Sequence, residues 1–336
     1  MIRTDSDLGT SGRARREAAA LESDGHRARA AAVWAALLSV WLFWGGTYLA
    51  IRVVVQTMPP FLSASSRFLI AGALLYALAV RRGDREGDRP GRAQWLAAAI
   101  IGGSLLLGGN GLVMWAEQTV PSGIAALIIA SVPLWMALLD RVVFGSRLPW
   151  LAILGLAVGF GGLALLLNPW ASGRLDPAGV AALVFASLSW SAGSLYARHA
   201  SLPKRPLVGT GMQMLAGGLL LALVGLGRGE LAQVEAADVS MESLLGLGYL
   251  IVFGSLVAFA AYVWLLRVTR TSLVSTYAYV NPVVAVFLGW AVLSEPVTVR
   301  TLIAGGVIVV AVALIVSARR AKQPSNESAG PEATRG

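Results

Sequence analysis

WGGTYLAIR, Trp44–Arg52, recurs loosely as WSAGSLYAR, Trp190–Arg198, with Trp and Arg eight residues apart in both copies. Working outward, Ala71–Gly72 recurs at Ala216–Gly217, and PSGIAALIIASVPL at Pro121–Leu134 parallels RTSLVSTYAYVNPV at Arg270–Val283. Gly155 parallels Gly305. All four offsets fall within a few residues of about 148, in the same order, which chance pairing of apolar segments does not produce. The chain is therefore read as two copies of one unit.

The unit is a membrane unit. Hydrophobic residues make up 56% of the chain and charged residues 13%, against about a quarter charged in soluble domains. Long apolar runs, each about twenty residues, match the hydrocarbon core of a bilayer. Ten spans are expected: 33–55, 62–80, 95–115, 123–139 and 150–167 in the first copy, then 179–197, 208–226, 244–266, 272–293 and 302–317 in the second. The fold class is all-α integral membrane, with about ten transmembrane helices. Five spans per copy is odd, so the second copy enters from the opposite side. The result is two inverted five-helix repeats, a plan common among secondary transporters.

The domain reading follows: residues 1–30 a disordered cytoplasmic tail, 31–167 the first repeat, 178–318 the second, and 319–336 a second disordered cytoplasmic tail. The N-terminal stretch lacks the apolar core and cleavage site of a signal peptide. With the N-terminus inside, the outside loops keep only Arg174, Arg228 and Arg300 of the basic residues. They hold Glu117, Asp176, Glu230, Glu235, Asp238, Glu242 and Glu295 instead. A bias of about seven to one in basic residues sets both termini in the cytoplasm. Arginine far outnumbers lysine, a bias of GC-rich bacterial genomes, and the membrane expected is the bacterial inner (plasma) membrane.

Charge and composition also exclude. The net charge of +9 sits at helix ends and forms no contiguous basic face, so no nucleic acid is expected as a partner. Cysteine is absent, which removes disulfides, thiolate chemistry and cysteine metal sites. No phosphate-binding GxxxxGK[ST] motif is present, so ATP is not the direct drive. The spans carry no HExxH, no GxSxG and no paired midplane acids, which argues against a membrane-embedded enzyme. Neither tail is long or apolar enough to fold as a signalling domain. No cofactor and no metal are expected.

Polar residues at membrane depth face the bundle interior or a cavity. Those expected to line a substrate site are Trp44, Thr47, Tyr48, Asn110 and Ser131 in the first repeat. Trp190, Ser194, Ser255, Tyr277 and Asn281 come from the second. Any one of them could equally serve to tie helices together; as a set from both halves at similar depth they read as a shared cavity. Tyr277 and Asn281 are four apart and share a helix face. Pro133 and Pro282 sit mid-span at equivalent places, where each removes one helix hydrogen bond, as a kink or a gating joint. Arg52, Arg67 and Glu117 lie near the outer boundary as a charged pair or cluster, either a structural lock or an outer gate. No Asp, Glu or His lies at the bilayer centre, which counts against proton exchange through a midplane carboxylate.

Several motifs together carry a resemblance. They are WGGTY at 44–48, MPP at 58–60 followed by Arg67–Phe68, and AEQTVPSGIAALIIASVPLW at 116–135. GYLIVFGSLVAFAAYVWLL at 248–266 and TYAYVNPVVAVFLGWAVLSEPVT at 276–298 complete the set. Over residues 31–318 the sequence resembles the drug/metabolite transporter superfamily, in its EamA-type ten-helix branch. The resemblance implies two inverted five-helix bundles around a central cavity, and export of metabolites or drugs by alternating access. The family often carries Glu near the ends of both the fourth and the ninth helix. Here Glu295 fits the second place and Ser146 occupies the first, which puts in doubt any role needing the pair. An aromatic and neutral-polar lining suits amino-acid-like or amphipathic compounds, and offers no midplane arginine for a phosphate. Uptake by the same fold stays open, since topology does not set direction. The partners expected are a small-molecule substrate and membrane lipids, with a homodimer left open.

Overall fold

The computed structural model describes residues 6–81, 90–146, 148–167, 175–234, 237–269 and 271–320. Among these the chain is helical, with no strand. Ten apolar helical stretches follow one another. They are α1 (Ser6–Val54), α2 (Pro60–Arg81), α3 (Arg92–Ala116), α4 (Ser122–Phe144), α5 (Trp150–Leu167), α6 (Pro177–Ala197), α7 (Pro206–Gly227), α8 (Met241–Leu265), α9 (Tyr277–Leu293) and α10 (Val299–Arg320). Eight are long and apolar enough to cross a bilayer outright; α9 and the apolar part of α10 are shorter. The backbone of α1 is already helical at Ser6, inside the stretch expected to be a disordered tail. Its run ARREAAALE at 14–22 consists of strong helix formers. The tail expected at the C-terminus lies, from residue 321, outside the described residues.

Packing reveals the repeat as a symmetry. Write each helix of the first half as n and its counterpart as n+5. Then α1 packs on α8 and α9, and α6 packs on α3 and α4. Likewise α3 packs on α7, and α8 on α2. The pairs α2·α7 and α5·α10 are their own images. Exchanging the halves maps these pairs onto one another, as a two-fold axis between α2 and α7 requires. Because each half crosses five times, that axis lies in the membrane plane and the halves are inverted.

The irregularities repeat as well. In α3 the segment Gly103–Gly111 is π-helical, with N–H groups reaching five residues back, and in α8 so is Leu250–Val257. The fourth span breaks between Ile129 and Val132. The ninth is preceded by a short helix, Thr271–Val274, and restarts at Tyr277. The α4 helix ends on Gly145 and α9 on Ser294, both left-handed, at φ 65° and 54°. Glycine adopts that conformation freely, and serine does so at a cost of about 1–2 kcal/mol.

Lipid supplies no hydrophobic drive between helices, so close van der Waals packing must hold them. At the α3·α7 crossing a Cβ on Gly102 would lie 2.4 Å from the Gln213 carbonyl oxygen. The backbones touch there because no side chain intervenes. Large apolar side chains such as Leu42, Leu78, Leu96, Phe185 and Leu223 instead point outward and stay exposed, as a lipid-facing surface demands.

Candidate functional site

The two broken spans are held by one arrangement used twice. Ser131 is buried; its hydroxyl donates to the Ile128 carbonyl at 2.5 Å and accepts from the Trp135 indole N–H at 3.1 Å. Thr276 is buried too. Its hydroxyl donates to the Leu273 carbonyl at 2.6 Å and accepts from the Trp41 indole at 3.0 Å. Each hydroxyl meets a carbonyl three residues back where the helix stops, and an indole satisfies the hydroxyl. Pro133 begins the next segment of α4, where a missing N–H costs nothing. The kink or gating joint expected at Pro133 therefore falls at a break between two helical segments rather than inside one continuous helix. Pro282 does lie inside α9, one turn after its break, and is buried.

The ten residues expected at a substrate site fall into two sets related by the same symmetry. One set lies where α1, α8 and α9 meet. Trp44 donates its indole N–H to the Gly254 carbonyl at 3.0 Å. Its ring lies 5.2 Å from both Tyr262 and Tyr277 and 6.2 Å from Phe259. Tyr262 and Tyr277 are themselves 5.8 Å apart, edge to face. Thr47 is buried and donates back to the Trp44 carbonyl at 2.6 Å, while Tyr48 packs against the central apolar cluster. Asn281 is buried on α9, with the backbone carbonyls of Trp41 and Tyr277 at 3.2 and 3.3 Å from its amide, so its nitrogen is assigned to the side that donates to them. Ser255 is buried in the π segment of α8 and accepts from Arg67 Nε at 2.8 Å.

The second set lies on α3, α4 and α6. Asn110 donates to the Leu105 carbonyl at 3.4 Å, within its own π segment. Trp190 packs on Gly109, where a Cβ would come within 2.7 Å of the ring. Ser194 is half-buried on α6, and Ser131 sits at the break. Helices α4 and α9 pack against each other between the two sets. Two lateral grooves, of about 590 and 550 Å³, open elsewhere; Pro282 lines the second, and none of the ten lines either.

The charged residues depart most from expectation. Arg52, Arg67 and Glu117 do not form a carboxylate–guanidinium cluster. Arg52 donates to the backbone carbonyl of Glu117. Arg67 is buried against Ser255 and lies 4.7 Å over the Phe68 ring. The Glu117 side chain is fully buried, and neither of its carboxylate oxygens has a hydrogen-bond partner among the described residues.

Three other acids, all read from sequence as loop residues, cap helices. Glu230 is buried and accepts from the Phe61 and Leu62 N–H groups, at 3.3 and 2.9 Å, at the start of α2. Glu295 accepts from the Ser122 and Gly123 N–H groups, at 2.8 and 3.1 Å, at the start of α4. Asp176 caps its own helix, α6, and accepts from Thr119 at 2.7 Å. That hydroxyl, with the Gly179 and Ala178 N–H groups, holds the Asp176 carboxyl below its ordinary value. The Glu230 and Glu295 caps cross from the second repeat to the first. At the opposite end Ser146 instead donates to Asp140 at 3.0 Å, and Asp140 lies 3.9 Å from Arg198. Sequence spacing could not find caps from more than 160 residues away; the one signal was that Glu295 follows a helix end.

Ten helices in two interlocked, inverted repeats, with polar joints in the fourth and ninth spans, define a polytopic membrane protein of the transporter type. The EamA-like transporter family model matches residues 30–168 and 177–317, and the chain belongs to that family. An uncharacterized inner membrane transporter of Escherichia coli K12, YedA, is 39% identical over 284 residues, 84% of this chain and 90% of that one. A WAT1-related chloroplastic protein of Arabidopsis thaliana is 28% identical, over 84% and 69% of the two chains. Protein PecM of Dickeya dadantii is 26% identical, over 81% and 88%. A solved crystal structure, 22% identical, covers 88% of this chain and 99% of its own with a TM-score of 0.59, a likeness of fold.

Proposed function

We propose that the protein is a secondary transporter that exports small amino-acid-like or amphipathic metabolites, or drugs, across the bacterial inner membrane by alternating access. Both termini face the cytoplasm, so the end of the bundle carrying Glu117, Glu230 and Glu295 is the outer end. The loop charges support this orientation, and the inner-membrane relative in Escherichia coli supports the choice of membrane. The substrate contacts Trp44, Thr47, Tyr48, Ser255, Tyr277 and Asn281 on one side. Asn110, Ser131, Trp190 and Ser194 face it from the other.

The observation that carries the reading is the pair of joints at Ser131 and Thr276. Two symmetry-related spans are interrupted, the fourth between Ile129 and Val132 and the ninth between Val274 and Tyr277, and each break is held by a hydroxyl and an indole rather than by continuous helix. Such joints let each half-span tilt without exposing bare backbone to lipid. In alternating access, one end opens as the other closes around a fixed site. At the outer end the Arg52 contact to the Glu117 carbonyl ties α1 to the α3–α4 connection and serves as part of the closure.

Efflux of radiolabelled amino acids from cells overproducing the protein, screened over many compounds, tests the reading. Faster efflux of at least one compound, slowed by Thr276→Ala at equal protein level, is expected. Efflux indistinguishable from that of cells with empty vector, across amino acids and amphipathic drugs, contradicts it. The same cells measured for entry distinguish an uptake permease.

A further inference from the structure

Glu117 sits in an unusual place for an acid. It is the first residue after α3, fully buried, and both carboxylate oxygens lack a hydrogen-bond donor. The guanidinium nearest in chemistry, that of Arg52, is directed to the Glu117 backbone carbonyl rather than to the carboxylate. The other charged and titratable side chains at this end include Tyr48 of α1, Arg67 of α2, Asp176 at the start of α6, Glu295 after α9, and, after α7, Arg228 over the Phe61 ring and Glu230 on the N–H groups that start α2. Arg67 is held by Ser255, Asp176 by Thr119 and its helix N-terminus, and Glu295 by the start of α4. None of these contacts supplies Glu117 with a donor.

A bare carboxylate in such a site is costly, because burial strips its hydration and no donor replaces it. The inexpensive remedy is to neutralise it with a proton. Burial first, and the Glu295 carboxylate second, push the Glu117 carboxyl well above the usual carboxylate range, while Arg52 opposes them.

We propose that Glu117 is a proton-binding site of the transporter, occupied while this end of the bundle is closed and emptied when it opens. The inference rests on the outer-gate reading above and adds the ion that the gate binds. The step is balanced simply: on closing, a carboxylate oxygen takes a proton from water and an O–H bond forms. On opening, the carboxyl meets water, the O–H bond breaks and the proton returns to solvent. An exposed glutamate has a pKa of about 4.3, so release is complete at neutral pH. The sign follows from linkage: the closed state binds more protons, so acid outside favours closure and rising pH through the raised closed-state value favours opening. Solute exit and proton release thus share one event, and no carboxylate at the bilayer centre is required.

Infrared difference spectroscopy of the full chain in lipid nanodiscs, titrated with pH, tests this without any solute. The wild type is expected to keep the C=O stretch of a protonated carboxyl at pH values where an exposed glutamate has lost it, with a midpoint shifted well upward from that of an exposed glutamate. Glu117→Gln removes the band. Glu117→Asp, the more conservative change, moves its frequency, and Arg52→Gln raises its midpoint because the opposing charge is gone. A wild type whose carboxyl band disappears with the midpoint of an exposed glutamate, or a band unchanged in both Glu117 variants, overturns the proposal. Because the probe is the proton alone, this result is independent of the efflux assay. Export without the band defeats only the proton site, and the band without export leaves the gate reading to fail by itself.

Discussion

At the scale of single residues, the acids at one end do the structural work that sequence alone assigned to loop polarity. Glu295 meets two free N–H groups at the positive end of α4, a charge-assisted cap across the repeat boundary. Glu295→Gln keeps the shape and loses the charge, so thermal unfolding in detergent should show a loss of about 1–2 kcal/mol. Gly289→Ala should do similar damage, because its Cβ would sit 2.5 Å from the Glu295 oxygen. Asp176 gives the pH-dependent case. Its folded value is lowered, so its cap contributes above the ordinary aspartate range and is lost as pH falls through the lowered folded value. Asp176→Asn should flatten the acid limb of a stability–pH curve followed by unfolding midpoint. The Glu295 cap was not legible in the sequence, since a carboxylate serving a helix in the other half leaves no local spacing; the Asp176 cap, directly before Pro177 at the start of its own helix, is a local signal that was read only as loop polarity.

Among elements, the spans themselves were legible because apolar length and basic loop ends are local signals. The interruptions were only half legible. Pro133 and Pro282 marked the right spans, but the joints belong to Ser131 and Thr276, and Thr276 was missed. A threonine beside tyrosines in an apolar run looks like ordinary helix surface; its partner, the Trp41 indole, lies 235 residues away. The π segment in α3 left a trace in GSLLLGGNG, whereas LIVFGSLV in α8 reads as plain helix. If the two hydroxyls are equivalent devices, Ser131→Ala and Thr276→Ala should each cost about 1 kcal/mol in unfolding. The crossing of α3 and α7 supplies a contrasting case. Gly102→Ala pushes a methyl against the α7 backbone and should cost about 1–3 kcal/mol, seen as a lower unfolding midpoint with unchanged helix content.

For the whole molecule, the repeat was legible before any coordinates, because four pairings at one offset survive in the sequence. The contact pattern then showed what the sequence could only imply: each half builds its polar set from helices of both halves, α1 with α8 and α9, α6 with α3 and α4. The symmetry is broken where Glu295 faces Ser146 across it. The Glu117 end therefore carries inter-repeat caps that the Ser146 position does not reproduce.

Inverted halves make one demand that nothing else in the account can evade: equivalent loops of the two repeats must lie on opposite faces of the membrane. Gly91, before α3, and Asp238, before α8, are such a pair, and both are exposed. A side chain at Gly91 meets no atom within 4 Å, and the chain has no cysteine of its own. Labelling Gly91→Cys and Asp238→Cys variants in intact cells with a membrane-impermeant maleimide is then free of background. Asp238→Cys should react at once and Gly91→Cys only after the membrane is permeabilised; equal labelling of both from the same side would contradict the inverted architecture.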